Sequence, residues 1–190
     1  TARLLGHTAD AKRFTALHAK ILTAFNRRFV TPDGRLAGDT QTAYLLALGF
    51  DLLPENLRPI ALTNLERALK RRNDHLATGF VGTPLLCPVL TRFGRTDLAY
   101  KLLFNDAYPS WLFPIKNGAT TMWERWNSWT PDKGFGEVGM NSFNHYAYGA
   151  IGEWLYATVA GISELAPGFK KILLRPQPHA KLTHASATLE

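Results

Sequence analysis

The sequence predicts a mainly α fold, a bundle or ring of helical hairpins with a short β segment at its end. Three observations predict it. Apolar residues recur at spacings of three and four through most of the chain before Asn105. Short turn-forming stretches of Pro, Gly and Asp separate these runs, and helices joined by short turns pack antiparallel. After Gly161 the helical period gives way to short runs of strand type.

The elements follow in order. A first helix is predicted over residues 10–29, with Phe14, Leu17, Ile21, Leu22 and Phe25 on one face. The turn Thr31-Pro32-Asp33-Gly34 ends it. A second covers 40–50, with Tyr44, Leu45 and Leu48 on one side. Pro54 suits the first turn of a third, whose apolar positions are Leu57, Ile60, Ala61, Leu65, Ala68 and Leu69. Pro84 starts a fourth that ends at Gly94, and Thr96 caps a fifth through Asn105. A loop rich in aromatics and glycines spans 108–139, with a short helix expected near 120–126. A sixth, long helix is expected over 142–159, carrying Phe143, Tyr146, Ala150, Trp154 and Leu155. Strands are expected at 169–175 and 181–189, separated by Pro176-Gln177-Pro178. Two strands alone make no stable sheet in water, so the chain is expected to stop just inside a β domain. Its start within a helical pattern likewise suggests a piece of a longer protein.

Composition narrows the classes. Hydrophobic residues make up 46% of the 190 and charged residues 19%, which excludes a disordered chain. The net charge of +7 is dispersed. Its densest cluster, Lys70-Arg71-Arg72, closes a helix where cations complement the dipole, and no nucleic-acid motif accompanies it, so no nucleic-acid partner is expected. The longest apolar runs, such as 44–50, are too short for a membrane helix, and no basic-then-apolar leader is visible. No membrane partner and a cytoplasmic location are therefore expected. One cysteine, Cys87, excludes an internal disulfide, and its apolar setting before Pro88 reads as core. The six histidines lack metal-ligand spacing, and no phosphate or dinucleotide motif appears, so no metal or cofactor is expected.

Four of the five tryptophans fall between positions 111 and 129: Trp111, Trp123, Trp126 and Trp129. A loop with indoles beside carboxylates and glycines resembles a sugar-binding cleft; the competing reading is a large loop packed by its own aromatics. Within it stands Glu124, between Trp123 and Arg125-Trp126. A carboxylate between two indoles is partly desolvated, which suits a general base, while an ion pair with a neighbouring Arg is the structural alternative. Asp132 and Glu137 are other carboxylates nearby, with solvated neighbours. His145 is expected in the first turn of the sixth helix, where the dipole favours a neutral ring able to bond a ligand hydroxyl; the alternative is a satisfied core histidine.

The residues also resemble a known family. Gln41-Thr42-Ala43-Tyr44 through Leu53-Pro54, Gly79-Phe80-Val81-Gly82-Thr83-Pro84, and Tyr108-Pro109-Ser110-Trp111 are similar to motifs of bacterial α-L-rhamnosidases of glycoside hydrolase family 78. So are Gly118-Ala119-Thr120-Thr121-Met122-Trp123-Glu124-Arg125-Trp126 and Met140-Asn141-Ser142-Phe143-Asn144-His145-Tyr146-Ala147, all in family order. The resemblance implies an (α/α)6 six-hairpin barrel, of which residues 1–161 are the C-terminal portion, with 162–190 opening a C-terminal β-sandwich. It implies an inverting hydrolase of terminal α-L-rhamnose that uses water alone and a rhamnose-containing glycoside as its partner. Glu124 falls on the general base, His145 on a histidine that contacts the sugar, and Trp123, Trp126 and Trp111 on stacking or wall residues. The family's general acid belongs to an earlier acidic motif that this chain lacks, so the N-terminal half of the barrel is expected in the same or another chain. The isolated chain is expected to be poorly active. Alternatives are another (α/α)6 glycosidase of trehalase or glucoamylase type, and a non-catalytic sugar-binding helical module.

Overall fold

A computed structural model describes residues 1–189. The chain forms two compact units, residues 1–68 and those from Leu69 onward. In the first, α1 (Thr8–Phe29) leads through a turn closed by a Val30–Leu36 bridge to α2 (Gln41–Gly49). Gly34 makes that turn at φ +75°, and a Cβ there would lie 3.0 Å from Ile60 Cγ2. Left-handed backbone against a neighbouring side chain is a place only glycine fits well. Thr40 caps α2 as its hydroxyl accepts the Ala43 N–H at 3.1 Å, and Tyr44, Leu45 and Leu48 are fully buried as their spacing predicts. A 3-10 turn, Glu55–Leu57, opens α3 (Arg58–Lys70), which buries Ala61, Leu62 and Leu65. By contrast α1 buries no residue, and Phe14, Leu17 and Ile21 of its apolar stripe stay about half exposed among the described residues.

The second unit is built on α4 (Thr83–Arg92) and α5 (Thr96–Leu103), an antiparallel hairpin with Leu86, Cys87, Leu90, Ala99 and Leu102 inside. Thr96 does not cap α5. Its hydroxyl donates to Gln177 Oε1 at 3.1 Å, a partner 81 positions away that outcompetes the local helix end. The short helix in the following loop is α6 (Leu112–Lys116) and not 120–126, where the backbone instead makes cross-loop bonds. A small hairpin, β1 (Trp129–Thr130) with β2 (Gly134–Phe135), closes the loop.

The predicted sixth helix is shorter and less regular than its spacing suggests. Residues 142–146 are not helical; a 3-10 turn (Ala147–Ala150), α7 (Ile151–Trp154) and a π turn (Leu155–Val159) follow. Trp154 is buried and its indole N–H donates to Thr91 Oγ1 at 2.8 Å, fixing this segment on α4. Gly161 then turns the chain at φ +76° into β3 (Ile162–Ala166), which pairs antiparallel with β4 (Lys171–Leu174). No strand forms over 181–189; residues 175–189 run as a strap. Arg175 N–H donates to Gly161 O at 2.8 Å, Gln177 N–H to Thr158 O at 2.9 Å and the Tyr100 hydroxyl to Gln177 O at 2.5 Å. The His179 ring then packs between Tyr100 and Phe104, with ring centroids 4.9 and 5.0 Å away. Both backbone groups of Gln177, its N–H and its carbonyl, are thus spent on helical residues and are unavailable to a strand ladder.

Candidate active site

The motif around Glu124 and the motif around His145 are laced together by backbone. Glu124 N–H donates to Ser142 O at 2.9 Å, and His145 N–H donates to Met122 O at 2.8 Å. The Thr121 hydroxyl bonds Phe143 O across the same seam. The Glu124 carboxylate completes the lacing, with Oε2 accepting the Ser142 N–H at 2.8 Å. No ion pair joins Glu124 to Arg125 among the described residues, so its orientation comes from the peptide of Ser142. Asp132 and Glu137 are exposed, and the Thr130 hydroxyl beside Asp132 holds that carboxyl below its usual range.

His145 lies before the first helical turn, in non-helical backbone, so the dipole argument for its neutrality falls away. Its ring is fixed by other means. Phe80 stacks on it at 4.7 Å and 18°, and Tyr146 flanks it at 5.3 Å and 8°. Nδ1 accepts the Ala147 N–H at 3.3 Å, which puts the proton of a neutral ring on Nε2, the nitrogen free to face a ligand.

Trp111, Trp123 and Trp126 are 5, 6 and 8% exposed. Trp126 lies parallel on Tyr148 at 3.8 Å and 9°, and Trp111 meets Trp126 edge-on at 5.5 Å and 85°. The Trp111 indole donates to Tyr148 O at 3.0 Å, and Trp126 to Thr78 O at 3.4 Å. Trp123 meets Phe143 edge-on at 5.2 Å. All three are thus packed within the protein, Trp126 face to face on Tyr148, Trp111 edge-on to Trp126 and Trp123 edge-on to Phe143. Burial pushes the Tyr148 phenol up, with smaller contributions from Tyr108 and the Glu124 carboxylate, which places that charge near this aromatic stack.

Four contributors were given no role by the sequence, although Phe80 and Ser142 stand inside the family-like motifs. Ser142 acts through its peptide N–H, which every residue but proline carries. Ser128 is a hub: its hydroxyl accepts Arg125 N–H at 3.1 Å, while its carbonyl accepts Gly136 N–H at 2.8 Å and the Asn141 amide at 3.0 Å. Phe80 and Tyr148 matter through long-range ring contacts. Among the described residues no group of three or more His, Cys, Asp or Glu could hold a metal, and no helix is long and apolar enough to cross a membrane.

The structure is thus one of helical hairpins carrying an aromatic-walled loop in which a carboxylate and an imidazole are held by backbone bonds. The chain belongs to the bacterial alpha-L-rhamnosidase family: residues 1–159 match the bacterial alpha-L-rhamnosidase 6 hairpin glycosidase domain, and residues 161–190 match the bacterial alpha-L-rhamnosidase C-terminal domain. It is 49% identical to an alpha-L-rhamnosidase of Streptomyces avermitilis over 94% of this chain and 17% of that protein. An alpha-L-rhamnosidase of an Alteromonas species is 49% identical over the whole of this chain and 21% of its own. The crystal structure of the Streptomyces avermitilis alpha-L-rhamnosidase complexed with L-rhamnose superposes with a TM-score of 0.88 at 48% identity, over 93% of this chain and 17% of that one. The native Aspergillus terreus enzyme superposes at 0.90 with 35% identity, over 93% and 21%. The chain thus spans about a fifth of the length of the relatives it matches.

Proposed function

We propose that this chain carries the general-base part of an inverting α-L-rhamnosidase site. The observation that carries the reading is the lacing of residues 121–124 to 142–145, which holds a carboxylate and an imidazole on one seam above buried indoles. Glu124 takes a proton from a water molecule. The water oxygen attacks the anomeric carbon of the rhamnose from the face opposite the leaving oxygen, and the glycosidic C–O bond breaks with inversion. One Glu124 oxygen accepts the Ser142 N–H and the other serves the water. His145 donates from Nε2 to a rhamnose hydroxyl, and the tryptophans keep the loop rigid. A second carboxyl group, at about 6.5–9.5 Å to leave room for the water, protonates the leaving oxygen; on this reading it comes from outside residues 1–190, in the same chain or another. Residues 1–161 are then the C-terminal portion of the barrel and 162–190 the opening of a sandwich domain.

The test is Glu124→Gln in the protein at its full natural length, assayed on a rhamnosyl disaccharide. Turnover falls roughly 10²–10⁴-fold while rhamnose affinity holds. Proton NMR of the first product shows the anomer opposite to that of the substrate. Unimpaired turnover by the variant, or a retained anomer, refutes the assignment.

A further inference from the structure

A cleft of about 530 Å³ lies against the β1–β2 hairpin, and Arg125, the residue after Glu124, is part of its lining. That volume is within the range of about 300–1,000 Å³ common to small-molecule sites. Two features of its lining stand out. The first is aromatic surface. Tyr108 and Phe135 line it and are 50 and 75% exposed, so they offer the open ring faces that the buried tryptophans do not. The second is an uncommitted cation. Arg125 lines the cleft half-buried, and its side chain makes no hydrogen bond or ion pair among the described residues. Its Nη2 sits over Gly136, where an added Cβ would come within 3.5 Å of it. Lys133 adds a second positive charge at the rim, and the one carboxylate of the lining, Asp132, is already engaged by the Thr130 hydroxyl.

A half-buried guanidinium with no acceptor from the protein keeps its donors available to a ligand in the cleft, in exchange for water. Its planar fork of N–H donors matches a carboxylate bidentately, whereas an exposed aromatic face suits the C–H face of a pyranose. One ligand satisfies both: a sugar ring bearing a carboxyl group. Position adds the direction. Arg125 follows Glu124 directly, and adjacent Cα atoms are only about 3.8 Å apart, so the cleft borders the seam at which the rhamnosidic bond is placed.

We propose that this cleft receives the sugar to which the rhamnose is attached, and that Arg125, assisted by Lys133, selects a uronic acid there. The proposal rests on the assignment of Glu124 and deepens it by naming the substrate class.

The test compares a rhamnosyl-glucuronic acid disaccharide with its rhamnosyl-glucose counterpart of the same linkage, on the protein at its full natural length. The natural protein favours the acid in kcat/KM by roughly ten- to hundredfold, the effect of a charge-assisted bond in a partly buried site. Arg125→Gln brings that ratio close to one; any loss common to both substrates cancels in it. Arg125→Lys restores part of the preference, and Lys133→Gln lowers it only about two- to threefold, as befits an exposed charge. A natural ratio near one, or a ratio unchanged in Arg125→Gln, overturns the proposal. Calorimetry with glucuronic acid separates the two readings. If neither disaccharide is hydrolysed, the catalytic assignment fails, while binding of glucuronic acid that is lost in Arg125→Gln still supports the subsite. Absence of binding to the natural protein refutes it.

Discussion

Replacing Gly161 by alanine tests how firmly the terminal strap is held. A Cβ at this position would lie 2.1 Å from the Pro176 nitrogen and 2.4 Å from both Arg175 C and Pro176 Cα, all backbone atoms. Ordinary contact begins at 3.4 Å, so the strap must retreat by 3.4 minus 2.1, or 1.3 Å. That retreat carries the Arg175 N–H beyond reach of Gly161 O and strains the Gln177 bonds to Thr158 and Tyr100, now 2.5–2.9 Å long. Left-handed backbone costs an alanine about 1–2 kcal/mol, and each bond lost adds about 0.5–1.5, for a total near 3–5 kcal/mol. For a chain of this size the melting temperature then falls by roughly 6–20 °C. Gly168 is the control. Its φ is +71° but nothing lies within 4 Å of the site of its Cβ. Gly168→Ala therefore costs only the backbone term, roughly 2–8 °C. Calorimetric melts of the two variants, read with proteolysis at Lys171 and Lys181, decide the matter. Equal losses, or no extra cleavage in Gly161→Ala, would show that the strap yields freely and that the reasoning is wrong.

Other expectations follow from single contacts. Trp126→Ala removes the ring stacked on Tyr148 and is expected to cost about 3–5 kcal/mol in denaturant unfolding, with a loss under 1 kcal/mol refuting its role as a wall. Thr40→Ala removes the cap of α2 and is expected to cost about 1 kcal/mol. Burial pushes the Cys87 thiol from 9.0 up to about 12. The stability carried by the neutral thiol is then complete below 9, and is lost as pH rises from 9 toward 12. Three units correspond to about 4 kcal/mol over that window, and Cys87→Ala flattens this alkaline limb. A thiol reagent is expected to label Cys87 only as fast as the protein opens; rapid labelling of the native protein would contradict its burial.

Much of the helical frame was legible because its determinants are local. Thr40 caps the helix it precedes, and Tyr44, Leu45 and Leu48 are buried as their spacing requires. The failures have long-range causes. Thr96 looks like a cap, but its hydroxyl is taken by Gln177. Phe143 and Tyr146 have helical spacing, yet the backbone of Ser142 and His145 is spent on Glu124 and Met122. β3 escaped notice because Ser163-Glu164 interrupts its apolar run, and its register depends on β4. At the candidate site, the motifs singled out Glu124 and His145, and backbone bonds bring the two segments to one seam. Which aromatic faces are covered was not legible, because ring contacts such as Trp126 on Tyr148 join positions 22 apart in a loop without periodicity.

The stack of Trp111, Trp126 and Tyr148 also makes the loop optically legible. Rings held at fixed angles in an asymmetric environment produce near-ultraviolet circular dichroism, which disappears when side chains lose fixed packing even if the helices persist. These three rings stand 3.8–5.5 Å apart at set angles beneath the Glu124 seam. The protein therefore carries an intrinsic spectroscopic gauge of its ring packing, shared between this stack and the buried Tyr100–Trp154 pair and separate from the far-ultraviolet signal of its helices. The part of that signal lost in Trp126→Ala belongs to the loop, and it is read by light alone, without a substrate or a label.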